Sequence, residues 1–413
     1  MAKMTLYEIK KVLSSRGGKI ALFVFACVII VSCWMATLGV EWMNENGEWE
    51  TDLDAARNLR TARQEWKGYL DEEALSGVIA ELNRITSTPE YTSKDYNKRN
   101  LIHRSLQAIQ PIRDMFVFAY SPAFQTVDET VVDHLTASDA ASFYDNRVRL
   151  LRDGIYDENK RISRLLSEQE KQYLISKYEE LETPFYYDYM EGWEQMLSNS
   201  FALIMYGSLV LGFLVAGIFA NEYKWKADAV FFSSLLGRNK ATISKIKASV
   251  LLVTLLYWLG ILIYTLFILY FLGFDGGNCP IQLSYWKSFY NLTYKEAYLL
   301  ALTGGYIGNL FVVFLSMWLS AKTKSAVVAV IVPFVVVMMP RMMQGTSIQW
   351  LNELIALLPD QLMQIGNVIQ YLDTYNLGFT VVGRAPILFA IYSVFAVILV
   401  PVLYREYRRK SWC

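Results

Sequence analysis

Six stretches of the chain are long, apolar and free of Asp, Glu, Lys and Arg: Ile20–Val40, Phe201–Ala220, Ala248–Phe274, Ala297–Ala321, Ala326–Met339 and Ala385–Tyr404. A bilayer core takes about 20 apolar residues as a helix, because backbone N–H and C=O groups find no water there and must bond within the segment. Such a pattern predicts an all-α polytopic membrane protein with six transmembrane helices. The fifth stretch is the shortest and holds Pro333, with Pro340 just beyond. A kinked or broken helix, or one lengthened to 326–343 through Met342 and Met343, is expected there. The first stretch exceeds the usual signal-peptide core of about 7–15 residues, and Cys33-Trp34-Met35-Ala36 makes a poor cleavage site, so it reads as an uncleaved anchor.

Lys and Arg in short loops are retained on the cytoplasmic side. They gather in four places: Lys3, Lys10, Lys11, Arg16 and Lys19; Lys224, Lys226, Arg238, Lys240, Lys245 and Lys247; Lys322 and Lys324; and Arg405, Arg408, Arg409 and Lys410. With six spans all four fall on one side. Both termini are therefore expected in the cytoplasm, and residues 41–197 form an extracytoplasmic domain between the first and second spans. That insert carries 30 acidic against 18 basic residues, while the whole chain has formal net charge zero. Zero net charge gives no electrostatic attraction to nucleic acid.

The insert reads as mainly helical. Leu53, Ala56, Leu59, Ala62, Trp66 and Tyr69 recur at three- and four-residue steps. Ser167 and Glu170 form a capping box ahead of Leu174, Tyr178 and Leu181, and Thr183-Pro184 stops that helix. The aromatic run from Pro184 to Trp193 reads as an interfacial belt joined to domain packing, with a ligand-binding lip as the sharper alternative. His103 and His134 read as surface histidines, and no metal site is expected.

Motifs for hydrolysis are absent. Arg16-Gly17-Gly18-Lys19 lacks the first Gly and the Ser/Thr of a phosphate loop and precedes a span instead of following a strand. Neither H-e-x-x-H nor G-x-S-x-G occurs. No acid or base lies within a span, which gives no support to a proton relay or a polytopic enzyme. The glycines Gly207, Gly212 and Gly217 in the second span, and Gly304, Gly305 and Gly308 in the fourth, read as helix-packing positions. Arg341 reads as a snorkelling anchor at the outer end of the fifth span.

The loop 221–247 carries Glu222, then an amphipathic stretch Ala227–Leu236 containing Phe231, Phe232, Ser233, Ser234 and Leu235, then Gly237, Arg238 and Lys245. Gly237 is expected to end a short helix parallel to the membrane, with Arg238 and Lys240 beyond it. This loop resembles the coupling segment of the type-2 permease family of ATP-binding-cassette exporters, in which a Glu is followed by a helix ending in small or hydroxylated residues, a Gly-Arg-like pair and a later Lys. The chain departs from that pattern at Ala227-Asp228, where the family usually has Gly-Thr.

Two further segments agree with the resemblance. Leu6, Ile9 and Leu13 share a face of an N-terminal helix (1–19), with Glu8, Lys10 and Lys11 elsewhere, like the family's elbow helix on the inner leaflet. Residues 344–384, with Leu351, Leu354, Ile355 and Leu358 before Pro359 and Leu362, Ile365 and Ile369 after it, read as short re-entrant or interfacial helices. The insert after the first span resembles Gram-positive peptide-antibiotic export or resistance permeases and sodium-extrusion permeases. The phrases Phe143-Tyr144-Asp145-Asn146-Arg147, Leu166 to Lys171 and Pro184 to Trp193 carry that second likeness.

The resemblance implies a transport subunit in a bacterial plasma membrane. ATP and Mg would be bound by a separate cytoplasmic ATPase subunit, with no cofactor in this chain. A second permease chain, identical or not, would complete the assembly, and the substrate path would run between the second and fifth spans of facing protomers. Glu222 is expected to pair with the ATPase or with Lys245. An amphipathic substrate such as an antimicrobial peptide or lipid-like molecule is expected. A membrane sensor, or an immunity protein that binds a toxin through residues 41–197 without transport, stays open.

Overall fold

In the computed structural model the described residues are 2–91, 93, 95–124, 126–157, 166–227, 233, 237–343 and 348–409. They fold mostly as α-helix, and six helices are long and apolar enough to cross a membrane. The spans are Arg16–Thr37, Glu191–Lys224, Thr242–Leu272, Tyr294–Thr323, Ala326–Met343 and Arg384–Arg409.

Most run past the bounds set by the apolar stretches. Local signals explain several ends. Ser15 caps the first span, its hydroxyl accepting from Gly18 N at 2.9 Å. Thr293 and Glu296 cap the fourth span reciprocally. Gly273, at φ +107°, closes the third. The fifth span is one helix with Pro333 and Pro340 inside it, and it is lengthened through Met343. The sixth absorbs most of the expected tail, reaching Arg409.

The second and fourth spans form the middle of the bundle. They run parallel, and Gly305 lies against Ile204, Gly212 against Val312 and Ser316, and the Ala220 N–H donates to Ser320 Oγ at 3.0 Å. The first, third and fifth spans pack around the second, and the fifth and sixth around the fourth.

Five of the six glycines read as packing positions stand close to other elements. A Cβ on Gly207 would meet the Phe25 ring, one on Gly304 would meet Ile365, and one on Gly308 would meet Met363. Gly217 differs: the atoms nearest a Cβ there belong to Asn221, one turn on in its own helix.

The four basic segments meet at one end of the bundle. The N-terminal helix Ala2–Ser14 reaches Glu222 and Lys245; Lys324 stands 4.8 Å over the Tyr223 ring; Tyr404 donates to Asn239 at 2.9 Å. The N-terminal helix divides its residues between two faces. Ile9, Val12 and Leu13 pack on the bundle, but Leu6 and Tyr7 are exposed and Glu8 is buried. Glu8 meets the Lys245 ammonium group at 3.3 Å.

At the other end lies the insert, with helices Leu53–Gln64, Glu72–Thr86, Tyr96–Leu106, Gln110–Tyr120, Ala137–Tyr156 and Glu168–Glu179. The first of these stops at Gln64, so Tyr69 of the expected stripe falls in a strand, Gly68–Tyr69, paired with Tyr186–Tyr187. The Ser167–Glu170 capping box forms as expected. The insert's core is not closed on itself. Leu75, Ile112, Phe116 and Phe143 share one apolar cluster with Cys279 and Ile281 from the loop after the third span, and with Leu362 and Ile365 from the segment after the fifth.

That last segment holds Gln349–Ile355, Pro359–Met363, Ile365–Val368 and a hairpin of Thr374–Asn376 with Val381–Gly383. Pro359 opens a helix, where its missing N–H is harmless. The Pro359–Met363 turn is buried among the fourth, fifth and sixth spans and touches the second.

Replacing Gly305 by Val should cost about 1–3 kcal/mol or more, since its Cβ already falls 2.6 Å from Ile204 Cγ2 and 2.7 Å from Tyr257 Oη. Thermal unfolding in detergent should show a lowered midpoint for Gly305→Val and little change for Gly217→Ala.

Candidate functional site

The second span is a single 34-residue helix, and each end is fastened by buried charge. At the basic end, Glu222 Oε1 accepts from Lys245 Nζ at 2.8 Å and from Lys11 Nζ at 2.7 Å. Lys245 also donates to Glu8 Oε2 at 3.3 Å and to the Ile218 carbonyl at 3.1 Å. The Lys245 side chain has 0% exposure and that of Glu222 9%. Two acids and two bases thus neutralise one another across the N-terminal helix and the second and third spans. An ammonium group without solvent needs this; one carboxylate alone would leave donors unmet. Lys11 also lies 4.9 Å from the Trp225 ring centroid.

The cluster forms the root of the loop 221–247. The second span ends at Lys224, and Lys226 takes φ +53° as the chain turns away, with Ala227 N–H bonded back to the Glu222 carbonyl at 2.9 Å. The chain re-enters helix through the π-helical turn Gly237–Ala241, and Thr242 Oγ1 donates to the Gly237 carbonyl at 3.2 Å. Gly237 is buried and begins the helical course that leads into the third span; the short helix it was expected to end lies, apart from Ala227 and Ser233, outside the described residues. Of the other residues read as coupling positions, Ser233 is exposed. Phe231, Phe232, Ser234, Leu235 and the Arg238 side chain lie outside the described residues.

At the opposite end, three basic residues on the insert meet three carboxylates around the start of the second span. Arg60 pairs with Asp275 at 2.5 Å, Arg63 with Glu191, and Lys67 with Asp188 at 2.8 Å. Arg60 and Arg63 are three residues apart and share a helix face; Lys67 follows on the turn after it. Arg63 is buried, and its Nε also donates to the Gln107 carbonyl at 3.3 Å. Burial opposes its charge, but the Glu191 carboxylate outweighs that and holds the guanidinium above its usual range. The Asp188 carboxylate likewise raises Lys67.

The phrases 143–147, 166–171 and 184–193 have architectural contacts. Tyr144 donates to the Leu70 carbonyl at 2.9 Å and accepts from Phe185 N–H at 2.9 Å. Asn146 donates to the Ala119 carbonyl at 2.6 Å, and Arg147 to the Trp286 carbonyl. Burial lowers Arg147 to about 10; the Tyr178 and Phe185 rings, each 5.8 Å away, face its guanidinium. Glu170 accepts from Thr374 at 3.0 Å and Gln169 from Asn376 at 2.7 Å, so the 166–171 phrase holds the hairpin. Phe185, Tyr187, Tyr189 and Met190 are buried, so this run takes part in the expected domain packing.

The Glu222–Lys245 pair follows the sequence expectation. Sequence reading missed Glu8 and Lys11, although their three-residue spacing on a helix was a usable sign, and missed Arg60, Arg63 and Lys67, whose partners are far along the chain. Among the described residues no group of three or more His, Cys, Asp or Glu is placed to hold a metal. No family model, curated protein or solved structure matches the chain.

Removing one member of a buried charge cluster leaves another uncompensated, at a cost of about 3–5 kcal/mol. Lys245→Met should therefore lower the thermal midpoint strongly. The double variant Lys245→Met with Glu222→Gln should recover part of the loss, as read by a double-mutant cycle.

Proposed function

We propose that this chain is the membrane-spanning permease subunit of an ATP-binding-cassette transporter in a bacterial plasma membrane. The observation that carries the reading is the braced root of the 221–247 loop. Glu222 and Lys245, the two ends of that loop, are joined to each other and to the N-terminal helix by buried ion pairs. A loop so fastened transmits a push to two spans at once, which is what a docking site for a nucleotide-driven motor requires. The clustering of basic segments at this end supports its cytoplasmic placement.

In this reading a cytoplasmic ATPase subunit, carrying ATP and Mg, docks on residues 227–238. A second permease chain covers exposed apolar faces of the second and fifth spans, which include Tyr206, Phe213, Ile331, Phe334 and Met339. The transported molecule is amphipathic, an antimicrobial peptide or a lipid-like compound. The acidic insert faces outward. A second reading, a ligand-sensing or immunity protein, draws on the ion pairs at Arg60, Arg63 and Lys67, which give a ligand on the insert a grip on the second span.

Deletion of 227–238, or reversal of its charges, should abolish copurification of an ATPase from native membranes while the chain still inserts. In a background without native cysteines, Lys240→Cys should resist an impermeant thiol reagent on intact cells, and Glu48→Cys should react. Undiminished copurification and transport after the deletion, or labelling of Lys240→Cys from outside, overturns the reading. Toxin protection that survives loss of the ATPase would select the immunity reading instead.

A further inference from the structure

The six apolar stretches hold no acid, yet an acid reaches the interior of the bundle by another route. The segment after the fifth span folds back, and its Pro359–Met363 turn lies against Gly304 and Gly308 of the fourth span, with the Leu362 carbonyl and the Met363 side chain at the positions a Cβ would need. Asp360 is in this turn and is fully buried. Its Oδ2 accepts from the Gln361 amide at 2.7 Å and the Gln364 amide at 3.2 Å. Its Oδ1 is buried and receives no hydrogen bond.

The surroundings are close to neutral. The fourth span meets the turn with glycines, and the second has no acid or base between Phe201 and Ala220. The sixth span brings Tyr392, whose hydroxyl donates to the Leu357 carbonyl at 2.9 Å, and Arg384, which is committed to Asp373 and to Gln361 Oε1. The Ile365–Val368 helix beside the turn contains no ionisable residue. The fifth span supplies Arg341, whose charge favours the ionised Asp360, as do the backbone N–H groups of Asp360 and Gln361, and its guanidinium rests 5.1 Å from the Phe201 ring centroid. An ionised carboxylate with one oxygen unpaired in such a place is costly; a neutral carboxyl is far less so. With both amides on Oδ2, the proton belongs on Oδ1.

We propose that Asp360 is a proton-binding site inside the bundle, its carboxyl taking up a proton on the acid side of its titration and releasing it to solvent as pH rises. The site is independent of any motor or transported molecule. Burial raises this carboxyl from the ordinary Asp range to about 6. The folded protein therefore holds the proton more tightly than the unfolded chain. The stability this contributes is whole below the ordinary Asp range and is lost as pH rises through about 6.

The test is infrared spectroscopy of the full-length protein in lipid vesicles, titrated between about pH 4 and about pH 8. A protonated-carboxyl C=O band should vanish with a midpoint near 6 and be missing from Asp360→Asn. Asp360→Asn should also flatten the fall in thermal midpoint over that range. Arg341→Gln removes the stabilising cation and should move the band's midpoint to higher pH, which tests the site even if Asp360→Asn fails to fold. A wild-type spectrum without such a band at the acid end overturns the proposal. So does a band unchanged in Asp360→Asn, or a midpoint indifferent to Arg341→Gln.

Discussion

Lys245 has no exposed surface, and everything at the basic end of the molecule is arranged around that fact. Its ammonium group takes Glu222 from the second span, Glu8 from the N-terminal helix and a backbone carbonyl at Ile218. Lys11 completes the balance on Glu222. Desolvated charge tolerates few geometries, because each missing partner costs several kcal/mol. The N-terminal helix is therefore held with Glu8 against Lys245 and with Leu6 and Tyr7 outward. The same requirement fixes where the second span stops and where the third resumes.

The opposite end follows a different logic. There the apolar core passes without a break from the insert into two loops of the bundle, through Cys279, Ile281, Leu362 and Ile365. Ion pairs from Arg60, Arg63 and Lys67 lie beside this shared core. The insert is thus a cap built from three separated stretches of sequence. Aromatic residues that would suit a membrane surface, Tyr187 and Tyr189 among them, are used to fill it.

What the sequence disclosed depended on range. The spans were legible because lipid admits few backbone arrangements, and a run such as Ala248–Phe274 carries that constraint within itself. The Ser167–Glu170 box was legible because its partners are three residues apart. Gly305 could be read as a packing residue since small side chains in spans have few other uses, whereas Gly217 could not be told from it without the neighbouring helix. Arg63 gave no sign of its role, because Glu191 lies 128 residues away. Asp360 was hidden for a related reason. A search for acids within long apolar runs does not see one that a five-residue turn carries inward.

The uninterrupted helix from Glu191 to Lys224 has a mechanical consequence. Its two anchoring carboxylates, Glu191 and Glu222, are about 46 Å apart at 1.5 Å per residue. A continuous α-helix of that length resists bending far more than the loops around it. A tilt of about 10° about one anchor would sweep the other through about 8 Å, comparable to the spacing between packed helices. Small rearrangements beneath the cap would thus be geometrically amplified at the basic end, and the reverse holds equally.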